Sequence, residues 1–161
     1  MKVTPYFLAK EEMSKMGSLE VEIRFEGEAD EFWSYVQKKT NPRWTWYAIE
    51  RKSGIILAYH NGKRTDASCK ILMDSLAVFD ISVYHTDAWQ SYFKYIPAEK
   101  HSVGKENTWK IERKNLNFRT HLKRLARKTI CFSKSEIMHD IIIGLYINRY
   151  YFKNGKFSHS A

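Results

Sequence analysis

Residues 21–62 read VEIRFEGEADEFWSYVQKKTNPRWTWYAIERKSGIILAYHNG, and their pattern decides the fold. Val21, Ile23 and Phe25 alternate with charged residues, as a half-buried strand does. After Gly27 a second β-rich stretch runs through Asp30, Phe32, Trp33, Tyr35 and Val36. Asn41-Pro42 marks a turn. Trp44 to Ile49 is aromatic and strand-like, Lys52-Ser53-Gly54 turns the chain, and Ile55 to His60 is a further strand that Asn61-Gly62 ends. Strands this close together, joined by short turns, predict a three-stranded antiparallel meander.

Beyond the meander the hydrophobic period changes from two to about 3.6. Thr65 is placed to cap a helix that carries Cys69, Leu72, Met73 and Leu76 on one stripe. Ile81, Val83 and Tyr84 form a short strand ending at His85-Thr86-Asp87. Ala88 to Ile96 predicts a short helix that Pro97 stops, and Lys100 to Val103 a fifth strand. Gly104 to Asn107 reads as a loop. Trp109 to Thr129 predicts a long basic helix with Ile111, Phe118, Leu122 and Leu125 along one side. Ser133 and Glu136 fit the N-cap and N3 positions of a last helix bearing Ile137, Ile141, Leu145 and Asn148. The order β-β-β-α-β-α-β-α predicts an α/β fold: a mixed sheet of the ribonuclease H type, with a right-handed crossover into the fourth strand. Residues 1–18 read as a poorly anchored N-terminal segment, 19–152 as the single domain and 153–161 as a polar tail.

Composition narrows the function. A chain of 161 residues with 43% hydrophobic residues buries a real core, which excludes disorder as its main state. No apolar run approaches the roughly 20 residues of a membrane span, and Glu11 and Glu12 come too early for a secretory signal. Cys69 and Cys131 make neither a disulfide framework nor a cysteine-pair zinc site. A reducing, cytoplasmic setting is the expectation.

Lys plus Arg number 27 against 18 acids, a net charge of +9. The distribution is uneven. Residues 11–31 carry eight acids, whereas residues 110–128 carry eight basic side chains and the single acid Glu112. A one-sided basic stretch favours phosphate.

Three acids fall at element ends: Asp30 in the first strand region, Asp87 at the end of the fourth strand, and Glu112 in the first turn of the long helix. The first and fourth strands are neighbours in this topology, so the three can converge. Converging carboxylates suit a hard divalent cation, Mg²⁺ or Mn²⁺, and a pair of such ions suits phosphoryl transfer. Each acid alone also reads as a surface residue, and Glu112 as a partner of the helix dipole. Glu28 and Glu31 rival Asp30. His85 reads as a neutral structural histidine. Trp33, Trp44, Trp46 and Trp89 read as core or as base-stacking rings.

The stretches DEFWSYV (30–36), YHTDAWQSY (84–92) and IERKNLNFRTHLKRLARKTICFSKS (111–135) resemble transposases of the insertion-sequence-1 family. The resemblance covers most of residues 19–152, and the rear block is its most specific part. It implies a DDE-class enzyme whose catalytic and metal-binding acids are Asp30, Asp87 and Glu112, with Mg²⁺ (or Mn²⁺), two ions, as cofactor. It implies phosphodiester cleavage at an element end, followed by transesterification into target DNA. Arg119, two helical turns after Glu112, is expected to hold phosphate, and Arg113, Lys114, Lys123, Arg124, Arg127 and Lys128 to contact the DNA backbone. The family's N-terminal zinc-binding and helix-turn-helix module has no counterpart in residues 1–18. The chain is therefore expected to be the catalytic half, nucleoid-associated, with end recognition supplied by a fused upstream frame and with multimers formed on paired ends. A ribonuclease H-like nuclease and a non-catalytic DNA-binding competitor are the alternative readings.

Overall fold

The computed structural model describes residues 24–152, except Lys105, Asn107 and Arg127. Val21, Ile23, the N-terminal segment and the polar tail lie outside the described residues. Strand β1 spans Phe25–Tyr35, β2 Pro42–Glu50 and β3 Ile56–Gly62. The two β-rich stretches around Gly27 are one strand, because Gly27 lies in register with both neighbours, Glu50 of β2 and Tyr84 of β4. The β1–β2 pair is antiparallel, with Trp33 opposite Trp44, and β2–β3 is antiparallel too. The turn between β1 and β2 puts Gln37 at φ 63°, in the left-handed region. Its backbone N–H donates to Ser133 O at 2.6 Å, and its side-chain amide to Lys134 O at 2.9 Å. Those bonds hold a conformation that a non-glycine residue rarely adopts.

Helix α1 (Asp66–Leu76) crosses from β3 to β4 (Ile81–Thr86), and Thr65 caps it by accepting from Ser68 N. Helix α2 is Gln90–Tyr95, and β5 is His101–Val103. Strands β4 and β5 run parallel to β1, giving the sheet order β3-β2-β1-β4-β5. This is the predicted ribonuclease H-like mixed sheet. Alternation along the strands feeds two cores. Ala29, Trp46 and Leu57 pack with Leu72 and Tyr92 on the α1–α2 side. Phe32, Tyr47 and Ile49 pack with Phe118 and Ile143 on the other.

The last third of the chain departs from the expectation in three ways. Helix α3 spans Trp109–His121 and stops there, so the long basic helix to Thr129 is not formed. Leu122 is extended (φ −104°, ψ 97°) and a 3₁₀ turn follows at Lys123–Leu125. Continuing the helix would have stacked Arg119, Lys123 and Arg127 at i, i+4, a run of like-charge repulsions. Breaking it lets Leu125 turn into the core beside Phe118.

Helix α4 spans Glu136–Ile147, and its N-cap is Ser135, not Ser133. Ser133 is buried and forms a parallel bridge with Val36. The α4 residues that enter the core are His139, Ile143, Tyr146 and Ile147. Ile137, Ile141 and Leu145 face outward, at 76%, 48% and 58% exposed. The helix is apolar nearly all round, so its period does not choose a face. Gly144 chooses it: a Cβ there would stand 2.7 Å from the Tyr59 hydroxyl, so only this side approaches β3 closely.

Candidate active site

β1 side chains alternate, so Glu28 and Asp30 point to the α3 side of the sheet and Glu31 to the α1–α2 side. Asp30 Oδ2 accepts a hydrogen bond from Asn115 Nδ2 at 2.6 Å. Asn115 Oδ1 accepts in turn from the Tyr47 hydroxyl, at 2.7 Å. Tyr47 is fully buried, and its oxygen also stands 2.9 Å from Ile111 O. A side-chain path therefore runs from β2 through α3 to β1.

The Asp30 carboxyl is pushed up to about 7. Burial is the main cause and the charge of Glu31 the next. The N–H groups of Asn115 and Glu31 oppose it, and Asp87 adds a further push upward. Asp87 follows β4, whose His85 pairs with Glu28 of β1, so the chain brings Asp87 level with Asp30. Asp87 Oδ1 accepts from Trp89 N at 3.0 Å, which fixes the carboxylate at the strand end.

Glu112 lies in the first turn of α3 with its side chain exposed; the Thr108 hydroxyl is 3.5 Å from its Oε1. It precedes Asn115 by three residues, hence one turn away on the same face. Asp30 and Asp87 are in electrostatic contact, and Glu112 sits beside the residue that binds Asp30. Among the described residues no three acidic, histidine or cysteine side chains stand together closely enough to grip a metal ion as they are. The donor chemistry nevertheless fits a hard cation. Asp30 is a desolvated carboxylate with amide partners and two acidic neighbours, and its charge calls for a cation.

The two rival acids have partners of their own. Glu28 is fully buried; its Oε2 accepts from Ile111 N at 3.0 Å and its Oε1 lies 3.5 Å from Arg51 Nε. Ile111 is the third residue of α3, so this strand carboxylate caps an unsatisfied helix N–H. Glu31 Oε1 takes Arg64 at 2.8 Å, and its Oε2 takes the Tyr92 hydroxyl at 2.8 Å. His85 lies 3.3 Å from Glu26 and beside Arg51, and burial lowers its pKa.

The basic residues differ in exposure and in partners. Arg113, Lys123 and Lys128 are exposed, while Arg119 is half-buried. Arg124 Nη1 donates to Ser133 Oγ at 3.3 Å. The Lys114 ammonium lies 4.0 Å from the centre of the Tyr151 ring, and burial lowers its pKa to about 8. Arg127 lies outside the described residues. Of the tryptophans, Trp46 is core, and Trp44 and Trp89 flank the Arg64 guanidinium at 4.9 Å each.

Residues 25–153 match the family model described as IS1 transposase. The chain belongs to the IS1 transposase family. The insertion element iso-IS1n protein InsB of Shigella dysenteriae is 47% identical over 125 residues, covering 78% of this chain and 95% of that protein. The IS1 protein InsB of Shigella flexneri is 42% identical over 121 residues, 75% of this chain and 92% of the relative. An IS1 protein InsB of Escherichia coli K12 is 43% identical over 121 residues, 75% and 72% of the two chains. Among the described residues of this IS1-family chain, no helix is long and apolar enough to cross a membrane. The sequence reading missed Tyr47 and the capping role of Glu28. The one available signal was Asn115, one turn beyond Glu112.

Proposed function

We propose that this chain is the catalytic unit of a DDE transposase that cuts insertion-sequence DNA ends and joins them to target DNA. The observation that carries this reading is the desolvated Asp30 carboxylate, held by Asn115 and level with Asp87 at the end of the neighbouring strand. A desolvated carboxylate with amide partners and acidic neighbours is costly until a cation joins it. Asp30, Asp87 and Glu112 would hold Mg²⁺, with Mn²⁺ as the alternative. A bound pair of such ions supplies Lewis-acid activation of the attacking oxygen and charge for the leaving one.

The chain's own residues prepare that site. Asn115 and Tyr47 hold the Asp30 carboxylate in one orientation. Glu28 pins the first turn of α3 and so sets where Glu112 emerges. Arg119, seven residues after Glu112, shares its helix face and meets phosphate together with Arg113, Lys123, Arg124 and Lys128. The attacking groups are water and then a DNA 3′-OH, so no protein nucleophile is required. End recognition by a fused N-terminal module and multimers on paired ends belong to the same reading.

The test is strand transfer by the purified chain. A pre-cleaved element end and a supercoiled target plasmid are supplied with Mg²⁺ or Mn²⁺. Joined product that disappears in Asp87→Asn and Glu112→Gln supports the proposal. Cleavage without joining would make the chain a nuclease. DNA binding with no chemistry, even after fusion to an end-recognition module, would sink the enzyme reading and leave a binding-only competitor.

A further inference from the structure

Three aromatic rings that belong to neither core line up at the far end of β1. Trp33 and Tyr35, two residues apart, point to the same side of the strand. Their ring centres lie 5.6 Å apart at 35°. Phe132, from the segment leading into α4, adds a third ring 6.0 Å from Tyr35 at 31°. Trp33 is 38% exposed, and Tyr35 and Phe132 are half-buried. The row is tilted and continuous, and it reaches the surface.

It stands where β1 outruns its parallel neighbour. The register with β4 stops at Glu28 opposite His85, whereas the register with β2 continues to Tyr35 opposite Pro42. Asp30 lies at the near end of this overhang. Trp33 is three residues, about 10 Å, farther along the strand. The rings and the Asp30 carboxylate occupy opposite faces, so a polymer crossing the overhanging edge meets both.

The segments that carry the row also carry exposed lysines. Lys38 and Lys39 in the β1–β2 turn and Lys134 beside the Phe132 segment are exposed. The two segments are stitched together by Gln37 N to Ser133 O, by the Gln37 side chain to Lys134 O, and by the Val36–Ser133 bridge. The nearby acids Glu136 and Asp140 are taken by Arg43. The rings and the segments that carry these lysines are therefore joined at one end of the sheet.

Flat rings flanked by ammonium groups match bases and phosphates. In a duplex each base face is covered by its neighbour; in a single strand it is available. We propose that Trp33, Tyr35 and Phe132 form a stacking platform for unpaired bases of a DNA single strand whose phosphates meet Lys38, Lys39 and Lys134. This rests on the reading that the chain handles DNA. It assigns the platform to the strand whose end approaches Asp30.

The test needs no chemistry and is run with a chelator present. Fluorescence anisotropy measures the full chain against a labelled oligothymidylate of roughly 16 nucleotides, the upper end of single-strand site sizes, and against a blunt duplex. Trp33→Ala with Tyr35→Ala is expected to weaken strand binding about tenfold or more and to leave duplex binding unchanged. Trp33→Phe retains strand binding. Should the double variant fail to fold, wild type and Trp33→Phe are compared by tryptophan emission. The strand then quenches the wild type more strongly. Equal quenching in both chains, or a loss shared equally by strand and duplex, overturns the proposal. So does unchanged strand binding with a fall in sedimenting mass, which would assign the row to a second copy of the chain. Duplex binding by the wild type alongside any of these outcomes overturns the platform alone. No binding to either DNA overturns the platform and the DNA reading together.

Discussion

Asn115 holds Asp30: the amide of an α3 side chain donates to the carboxylate of a β1 side chain at 2.6 Å, across 85 residues of sequence. The same amide accepts from Tyr47, so its orientation is fixed with oxygen toward β2 and nitrogen toward β1. Asn115→Ala is expected to free Asp30 and leave the buried Tyr47 hydroxyl with only Ile111 O. Stability falls by about 1–2 kcal/mol, and strand transfer falls at least tenfold. Tyr47→Phe loosens Asn115 without touching Asp30, so it produces a smaller loss of the same kind. Equal strand-transfer rates in wild type and Asn115→Ala at matched folded fraction would remove this positioning role.

Asp30 should weaken the fold that it serves. Its carboxyl is held up to about 7, against 3.8 for the ordinary group, chiefly by burial. Between those values the native state keeps a proton that the unfolded chain has lost, so stability falls as pH rises through that window. Above it the cost is fully present. Asp30→Asn is expected to abolish strand transfer and to raise stability at pH 8 by on the order of 1–2 kcal/mol, allowing for the water that reaches a half-buried group. Mg²⁺ should raise the Tm of the wild type at that pH and leave Asp30→Asn unmoved. Urea titrations at two pH values and a thermal shift with Mg²⁺ check both statements.

Glu28 anchors α3 from the strand below. Glu28→Ala leaves the Ile111 N–H without its acceptor and removes a buried partner of Arg51. A loss of about 2–4 kcal/mol is expected in urea unfolding. Glu28→Gln keeps an oxygen toward Ile111 and should recover much of that loss. Strand transfer should follow the helix, impaired in Glu28→Ala and substantially retained in Glu28→Gln. The reverse order would mean that Glu28 acts by its charge on the site.

Much of this architecture is legible in the sequence, for physical reasons that differ by element. Phe32 to Val36 and Trp44 to Ile49 show as strands because they are short runs of aromatic and branched residues, and the runs are near-continuous because each face buries a different core. Asp87 shows because it ends a short apolar strand. The end of α3 does not show, because Leu122 and Leu125 continue the apolar stripe past the point where like charges stop the helix. The inward face of α4 is hidden by apolar residues on all sides. The partners of Asp30 and Glu28 lie 85 and 83 residues away, and only the docking of α3 on the sheet brings them together.

A buried histidine should make the far end of the fold sensitive to acid. His139 is fully buried, with Ser133 Oγ 2.6 Å from Nδ1 and Ser34 Oγ 3.0 Å from Nε2. Ser34 spends its proton on Arg43 O, so Nε2 carries the hydrogen and Nδ1 accepts from Ser133. The neutral ring is satisfied on both sides. Burial lowers its pKa below 6.5; Arg124 and Arg43 push the same way, while Asp140 and Glu136 oppose them. The native state resists a proton that the unfolded chain accepts, so this contribution is present above pH 6.5 and lost as pH falls through the folded value. His139→Phe is expected to cost about 1–3 kcal/mol at pH 7.5 by stranding the Ser133 hydroxyl, and to flatten the acid limb by about one proton. His60, His85 and His101 retain their own share of that limb.

The broken helix predicts which cations bind DNA. Lys123 and Lys128 are exposed beyond its end, whereas Lys114 is folded over Tyr151. Each phosphate contact contributes about 0.9 to the slope of log affinity against log salt. Lys123→Ala and Lys128→Ala should each lower that slope by about this amount on any DNA sequence. Lys114→Ala should leave the slope unchanged and lower stability instead, because it removes a cation–π contact of about 0.5–1 kcal/mol and the cover over Gly54. A slope that drops in Lys114→Ala as much as in Lys123→Ala would mean that the Lys114 side chain leaves Tyr151 when DNA arrives.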